Sequence, residues 1–275
     1  MALNDIKNKT ILVTGGASGM GAEFTQAFLK HGAKSVAILD INEELGKATT
    51  ERLNKEHGNK VVFFKCDVSK EDDITKAFDA VLAKFKQVDV IVNNAGIMND
   101  SPQVWKLSSN VNWQGVVSFT LKGVQHMRKD EGGSGGTIIN IGSTSAMNRF
   151  NSVPIYGGGK SAVLHFTQSL AMEPFFETTG IRVLLFVPGS TNTPLLHDIT
   201  NKIYDPKVAE TLPSTEDLEK HYLQTVESAA NAFIEMFKMG TNGSIWLSTG
   251  NKPAQDITPI IDRLFKEYEK VLAGQ

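Results

Sequence analysis

Short apolar runs alternate along the chain with longer stretches of helical periodicity. Runs at 11–13, 36–39, 61–64, 88–92, 137–141 and 181–187 read as strands, and a weaker one at 245–247 as a seventh. They are apolar almost without interruption, the pattern of parallel strands covered on both faces. Between them apolar residues recur every three or four positions, as at Phe24, Phe28 and Leu29, or at Ile74, Ala77, Phe78, Val81, Leu82 and Phe85. The alternation predicts an α/β fold with a doubly wound parallel sheet and right-handed crossovers. No repeat and no linker-like change of composition interrupts it, so residues 1–275 read as one domain.

Two segments stand apart. Periodicity is weak from about 191 to 224, and an insertion after a late strand is expected to act as a substrate lid. From about 257 to 272, apolar residues at 257, 260, 261, 264, 265, 268, 271 and 272 form one helical stripe. That stripe packs on its own subunit, meets another subunit, or walls the substrate pocket.

Composition narrows the function classes. The 275 residues are 41% hydrophobic, which fits a packed chain rather than a disordered one. With 28 basic and 30 acidic residues the net charge is −2, which argues against nucleic acid or a polybasic membrane clamp as partner. The lone cysteine, Cys66, excludes an internal disulfide framework and a multi-cysteine metal site. It reads as a small buried residue rather than a nucleophile. No apolar run approaches the roughly 18 residues of a membrane span, and the first ten residues hold no signal-peptide core. A reduced, cytoplasmic protein that binds neither membrane nor metal is expected.

Candidate chemistry begins after the first strand. Thr14 is followed by Gly15, Gly16, Ala17, Ser18, Gly19, Met20 and Gly21, and then by a helical pattern. Glycines in a strand-to-helix turn let backbone N–H groups approach a pyrophosphate, and the helix N-terminus adds partial positive charge. Asp40 ends the second strand, 19 positions after Gly21, where an acid accepts the ribose hydroxyls of NAD. It would repel the 2′-phosphate of NADP, and neither Ser18 nor Ile41 supplies a cation to neutralise that phosphate. Cys66, Asp67 and Val68 end the third strand at the expected adenine edge. Asp67 either accepts from the adenine amine or caps the helix that starts near Ser69. Asn93, Asn94, Ala95 and Gly96 end the fourth strand, with Asn94 expected to close a loop over the ribose. All of these sit at C-terminal strand ends, where open α/β sheets bind ligands.

Tyr156 and Lys160 are one helical turn apart and share a face. A phenol is a poor base near neutrality, but a nearby ammonium and an oxidised nicotinamide favour the phenolate. Tyr156 would then take the hydroxyl proton of an alcohol as hydride leaves its carbon. Lys160 would also hold a ribose hydroxyl. Ser143, 13 positions before Tyr156, would bind the substrate oxygen, and Asn112 would hold a water beside Lys160 for a proton relay. Each of these residues alone is commonplace; their order behind the glycine turn is what carries the reading.

Taken together, the TGGASGMG at 14–21, Asp40, Asp67, the NNAG at 93–96, Asn112, Ser143, the YGGGK at 156–160 and Pro188-Gly189 resemble the short-chain dehydrogenase/reductase family over about residues 8–250. The resemblance implies a single-domain Rossmann-type sheet of about seven strands in the order 3-2-1-4-5-6-7, NAD as cofactor and no metal. It implies a tetrad of Asn112, Ser143, Tyr156 and Lys160, and a segment Thr191-Asn192-Thr193 that closes on the nicotinamide. Homodimers or homotetramers, joined through helices near 103–129 and 154–179, are implied too. Within the family, Asn99, the stretch at 132–140 and the CDV at 66–68 resemble NAD-dependent 15-hydroxyprostaglandin dehydrogenases. The stretches at 140–146, 187–197 and 242–246 resemble insect-type short-chain alcohol dehydrogenases. Both groups oxidise secondary alcohols. Met98, Met147, Phe150, Val153, Leu195, Leu196, Ile199, Ile203 and Tyr204 suggest a small apolar alcohol or ketone as substrate. Two other readings stay open: a non-catalytic NAD(H) sensor or interaction protein of the same fold, and an NADP-linked reductase. Gly157, Gly158 and Gly159 cost about 3 kcal/mol of helix preference relative to alanine, which close packing is expected to offset.

Overall fold

Every predicted strand forms, with its ends moved by one or two residues. In the computed structural model, which describes residues 3–212 and 223–274, these are β1 (Thr10–Thr14), β2 (Ser35–Asp40), β3 (Val61–Lys65), β4 (Val90–Asn93), β5 (Gly136–Ile141), β6 (Ile181–Pro188) and β7 (Ile245–Ser248). An eighth, β8 (Gln255–Asp256), pairs antiparallel with β7, so the sheet order is β3-β2-β1-β4-β5-β6-β7-β8. β8 escapes sequence reading because it is two exposed polar residues long. The helices are α1 (Gly19–Lys30), α2 (Glu43–His57), α3 (Glu71–Phe85), α4 (Trp105–Ser109), α5 (Gly115–Met127), α6 (Pro154–Leu170), α7 (Phe175–Thr179), α8 (Pro206–Ala209), α9 (Val226–Met239) and α10 (Thr258–Leu272).

Strand periodicity sorts the apolar residues onto two faces. Ile11 and Val13 point into one core with Phe24, Phe28, Phe233 and Phe237, while Leu12 points into the other with Phe78 and Phe119. Phe24 of α1 stacks on Phe233 of α9 with ring centroids 4.0 Å apart, and Phe28 meets Phe233 edge-on at 5.4 Å. Each such pair adds about 0.5–1.5 kcal/mol beyond area burial. These contacts hold α1, and with it the glycine turn, against the sheet.

β1 pairs with β2 on one side and β4 on the other, both parallel. Chain direction across the sheet reverses there, which opens a crevice at the C-terminal strand ends. Behind the crevice, Asn93 Nδ2 donates to Thr120 Oγ1 at 2.9 Å and to Asn140 Oδ1 at 2.8 Å, and Asn140 Nδ2 donates to Thr167 Oγ1 at 2.9 Å. This buried chain joins β4, β5, α5 and α6 behind the crevice.

One buried cation has no counterpart in the sequence reading. Arg182 in β6 donates to the carbonyls of Phe237, Gly240 and Leu3 at 2.9, 2.9 and 3.1 Å and lies 4.9 Å from the Phe237 ring centroid. Burial pushes its guanidinium down to about 10. It fastens the N-terminal segment to α9 and β6.

α10 matches the predicted stripe but not a role as pocket wall. Ile257 and Ile261 are buried against Val116 and Val163, whereas Leu264, Tyr268, Val271 and Leu272 are all more than 60% exposed. The expected helix at 103–129 is α4 and α5 joined by a π-helical turn, Asn110–Gln114, and that at 154–179 breaks into α6 and α7. Among the described residues no helix is long and apolar enough to cross a membrane, and no cluster of three or more histidine, cysteine or acidic residues is placed to hold a metal.

Candidate active site

Two connected cavities occupy the crevice. The larger, about 570 Å³, is lined at one end by Asp40, Ile41, Cys66, Asp67 and Val68. It passes Gly15, Ser18, Gly19 and Met20 and reaches Asn94, Ala95, Gly96 and Thr193 at the other. The smaller, about 110 Å³, is lined by Ser143, Tyr156 and Lys160 with Pro188, Gly189 and Thr191. Met20, Asn94, Gly96, Met98, Thr193 and Leu195 line both, so one continuous space joins the glycine turn to the phenol. Gly16, Ala17, Gly21 and Asn192 line neither cavity. The first three build the turn from beneath, and Asn192 lies exposed outside it.

Crowding explains the glycines. Gly15 adopts φ +63°, and a Cβ there would lie 2.8 Å from the Ala95 Cα. A Cβ on Gly21 would lie 2.2 Å from the Gly15 carbonyl oxygen and 2.6 Å from Asn94 Nδ2. Asn94 Nδ2 donates to the carbonyls of Thr14 and Gly15 at 3.0 and 3.1 Å. The Thr14 hydroxyl in turn accepts from the N–H groups of Asn94 and Ala95 at 3.0 and 3.1 Å. The Asn94 Nδ2 therefore braces the turn, while the residue lines both cavities. Thr14 was not singled out from sequence, since a threonine at a strand end carries no distinguishing signal.

The acids at the strand ends are partly committed. Asp40 accepts from the N–H groups of Ala17 and Asn42, both at 3.0 Å, and still lines the cavity. Asp67 accepts from the Ser69 N–H at 3.0 Å and the Ser69 hydroxyl at 2.7 Å, with Lys70 Nζ at 3.1 Å. Burial alone would raise its carboxyl, but the Ser69 and Lys70 contacts outweigh it and the pKa falls below the ordinary value. These contacts close a turn ahead of α3, whose N-cap position is Lys70 with no side-chain cap, and Asp67 also lines the larger cavity. Cys66 is buried, and burial first, then the acids Asp73, Asp67 and Asp40, push its thiol up to about 12, which fits an inert thiol.

Tyr156 and Lys160 lie in the first two turns of α6, and both are buried. Ser143, just past β5, accepts from the Ser145 N–H at 3.1 Å and lines the smaller cavity with the Tyr156 phenol. Burial pushes that phenol up to about 12; the Ser143 hydroxyl opposes the rise and the Asp100 carboxylate adds to it. Lys160 Nζ donates to the Ile141 carbonyl at 2.7 Å and lies 5.8 Å from the Tyr156 ring centroid. Burial pushes the Lys160 ammonium down to about 8. Within the chain alone, then, the lysine does not depress the phenol as the sequence reading expects.

Asn112 lies in the π-helical turn between α4 and α5, a local irregularity common at functional sites. Its side chain is taken up by Ile97, accepting from the N–H at 2.9 Å and donating to the carbonyl at 2.7 Å. A Cβ on Gly96 would lie 3.2 Å from Asn112 Oδ1 and 3.9 Å from Lys160 Nζ, so all three meet at the junction of the cavities.

Met98, Phe150, Leu195 and Leu196 line the smaller cavity. Val153 is buried behind it with Met98 and Tyr156, and Ile199 packs on that cluster. Ile203 is buried, whereas Met147 and Tyr204 are exposed. The expected lid is described over 191–212 and 223–224; the rest of it lies outside the described residues. Both of its ends meet at Gln224, which is fully buried and donates to Thr191 Oγ1 at 3.0 Å and to the Ser248 carbonyl at 3.0 Å. The triple glycine gets no packing at its centre: Gly158 has nothing within 4 Å of an added Cβ.

The family model for short chain dehydrogenases matches residues 9–203. The rat NAD(+) 15-hydroxyprostaglandin dehydrogenase is 33% identical over 250 residues, covering 90% of this chain and 93% of that protein. The human enzyme is 32% identical over the same length. A 3-ketoacyl-(acyl-carrier-protein) reductase from Brucella melitensis, solved with NADH, superposes with a TM-score of 0.72 at 29% identity, covering 89% of this chain and 98% of that one. A short chain dehydrogenase/reductase from Burkholderia phymatum, solved with NAD, shares the fold with a TM-score of 0.75 at 20% identity over 98% of this chain and 96% of that one.

Proposed function

The chain belongs to the short chain dehydrogenase family, and from that premise we propose that it is an NAD-dependent dehydrogenase interconverting an apolar secondary alcohol and its ketone. One observation carries the reading. Ser143, Tyr156 and Lys160 share a cavity with Met98, Phe150, Leu195 and Leu196, polar groups set among apolar walls.

The adjoining groove fits a dinucleotide. Its glycine turn leaves no room for a Cβ at Gly15 or Gly21, and Asp40 stands at the end of β2 without a neighbouring cation at Ser18 or Ile41. Gly15, Gly19, Asp40, Val68 and Thr193 would hold NAD, which when bound supplies the hydride acceptor. Ser143 donates to the substrate oxygen and holds it beside the phenol. Tyr156 takes the hydroxyl proton as general base, and returns it in the reverse direction. The buried Lys160 ammonium, released from the Ile141 carbonyl, supplies positive charge against the developing phenolate. Asn112 positions the Ile97 backbone next to Gly96, which borders Lys160.

The test is NADH formation over a series of 2-alkanols from 2-propanol to 2-decanol, with cyclohexanol and 1-phenylethanol alongside. Turnover is expected to improve with apolar bulk. Tyr156→Phe is expected to lower kcat at least 1000-fold while the NADH affinity stays within two-fold. Turnover in that variant comparable to the unmodified enzyme would overturn the proposal.

A further inference from the structure

α6 begins without a cap of its own. Its N-cap residue is Val153, whose side chain accepts nothing, and Pro154 at the first position has no N–H. The first free donors are the N–H groups of half-buried Ile155 and buried Tyr156, where unpaired donors are costly. Asp100, from the loop after β4, meets both. Its carboxylate accepts from Ile155 N–H at 2.6 Å and from Tyr156 N–H at 3.0 and 3.2 Å, and the residue is 1% exposed. The Asp100 N–H donates to the Lys202 carbonyl at 2.7 Å. Lys202 Nζ donates onward to the carbonyls of Leu195 and His197. Leu195 lines both cavities.

We infer that Asp100 is a positioning residue: it holds Tyr156 at the cavity and couples it to the 194–203 segment that walls the apolar side. The inference rests on the reading of Tyr156 as the base. A neutral asparagine or serine would cap the helix as well. A buried carboxylate does one thing more, because its negative charge lies close to where the phenolate charge develops and disfavours it. Among the described residues, the other charged groups around the phenol are few. Lys160 comes from its own helix, and Lys202 from the 194–203 segment, its ammonium turned onto backbone carbonyls. His197 and Asp198 of that segment are exposed, and Ser143 contributes only a neutral hydroxyl. Among the described residues Asp100 is thus the buried carboxylate bonded to the backbone of Tyr156, and burial raises its own carboxyl above the ordinary range while the two N–H groups hold it down.

The test compares Asp100→Asn and Asp100→Ala with the unmodified protein, using the ultraviolet absorbance of tyrosinate to titrate Tyr156 and Tyr156→Phe as the blank. This readout needs no substrate, so it stands apart from the assignment of activity. Asp100→Asn is expected to lower the pH of Tyr156 ionisation by about one unit, and to shift the rising limb of the kcat–pH profile for cyclohexanol in the same direction. Asp100→Ala is expected to shift ionisation likewise and to lower kcat a further ten-fold or more, because the Ile155 and Tyr156 N–H groups lose their acceptor. NAD affinity should stay within two-fold in both. An unshifted tyrosinate titration in both variants, with only a lower melting temperature, would reduce Asp100 to a structural cap and overturn the inference. Should Tyr156→Phe remain active while the titration shifts, the assignment of the base fails and the electrostatic effect of Asp100 survives.

Discussion

Two glycine-to-alanine substitutions in this chain should move its stability in opposite directions. At Gly21, the new methyl would sit 2.2 Å from a backbone oxygen of Gly15 and 2.6 Å from Asn94 Nδ2, where ordinary contact begins near 3.4 Å. Neither atom is the free end of a flexible side chain, so the turn must move by more than an ångström. Overpacking of this kind costs about 1–3 kcal/mol. Displacing the Asn94 amide adds about 0.5–1.5 kcal/mol for each of its two bonds. Helix propensity returns about 1 kcal/mol. Gly21→Ala should therefore lose about 1–5 kcal/mol, a fall of roughly 2 °C or more per kcal/mol in Tm for a chain of this size. At Gly158 nothing lies within 4 Å of the added methyl, so only the propensity gain of about 1 kcal/mol remains, a rise of about 2–4 °C. Thermal unfolding monitored by circular dichroism reads both. NAD titration by quenching of tryptophan fluorescence should show at least ten-fold weaker binding for Gly21→Ala and no change for Gly158→Ala. If Gly21→Ala melted and bound as the unmodified chain does, the account of the turn as a sterically filled cradle would be refuted.

Two further outcomes follow from the same structure. Replacing Asp40 by serine removes the carboxylate expected to repel a 2′-phosphate, so the ratio of NADP to NAD affinity should rise at least ten-fold; an unchanged ratio would remove Asp40 from cofactor choice. Stability should also vary with alkaline pH in two opposing ways. Lys160, depressed to about 8 in the folded chain, gives stability that rises from about pH 8 up to its unfolded value near 10.5. Tyr156, raised to about 12, gives stability that is lost from about pH 10 to 12, on the order of 2–3 kcal/mol. Urea unfolding across this range should show the rise vanish in Lys160→Met and the decline vanish in Tyr156→Phe; identical curves for all three proteins would contradict the burial of these groups.

What could be read from the sequence was local. The strands betray themselves by unbroken apolar runs, the glycine turn by its place between a strand and a helix, and Tyr156 with Lys160 by one helical turn of spacing. Features that depend on a distant partner were not legible. Asp100 acts on backbone 55 and 56 positions away, and Arg182 on carbonyls 55 and 58 positions onward. Nothing near either residue in the chain marks it out. The same holds for Asn94, whose amide offers equal chemistry to a ribose or to its own turn, and for Asn112, whose π-helical turn leaves the apolar periodicity of α4 and α5 undisturbed. Periodicity gave α10 correctly but could not say that most of its apolar stripe faces outward.

The clasp at Gln224 has a consequence for how such a chain can change. Thr191 and Gln224 form a bridge, and the Gln224 N–H and carbonyl pair with Ser190 and Asn192 on either side. The polypeptide thus leaves the neighbourhood of the sheet and returns to it at a single knot. Because closing such an excursion costs little more when it is lengthened, its length can change while the knot and the sheet stay as they are. The portion at 193–203 is not free in the same way, since it walls both cavities and meets Asp100, so a change of substrate choice there reaches the tyrosine helix as well.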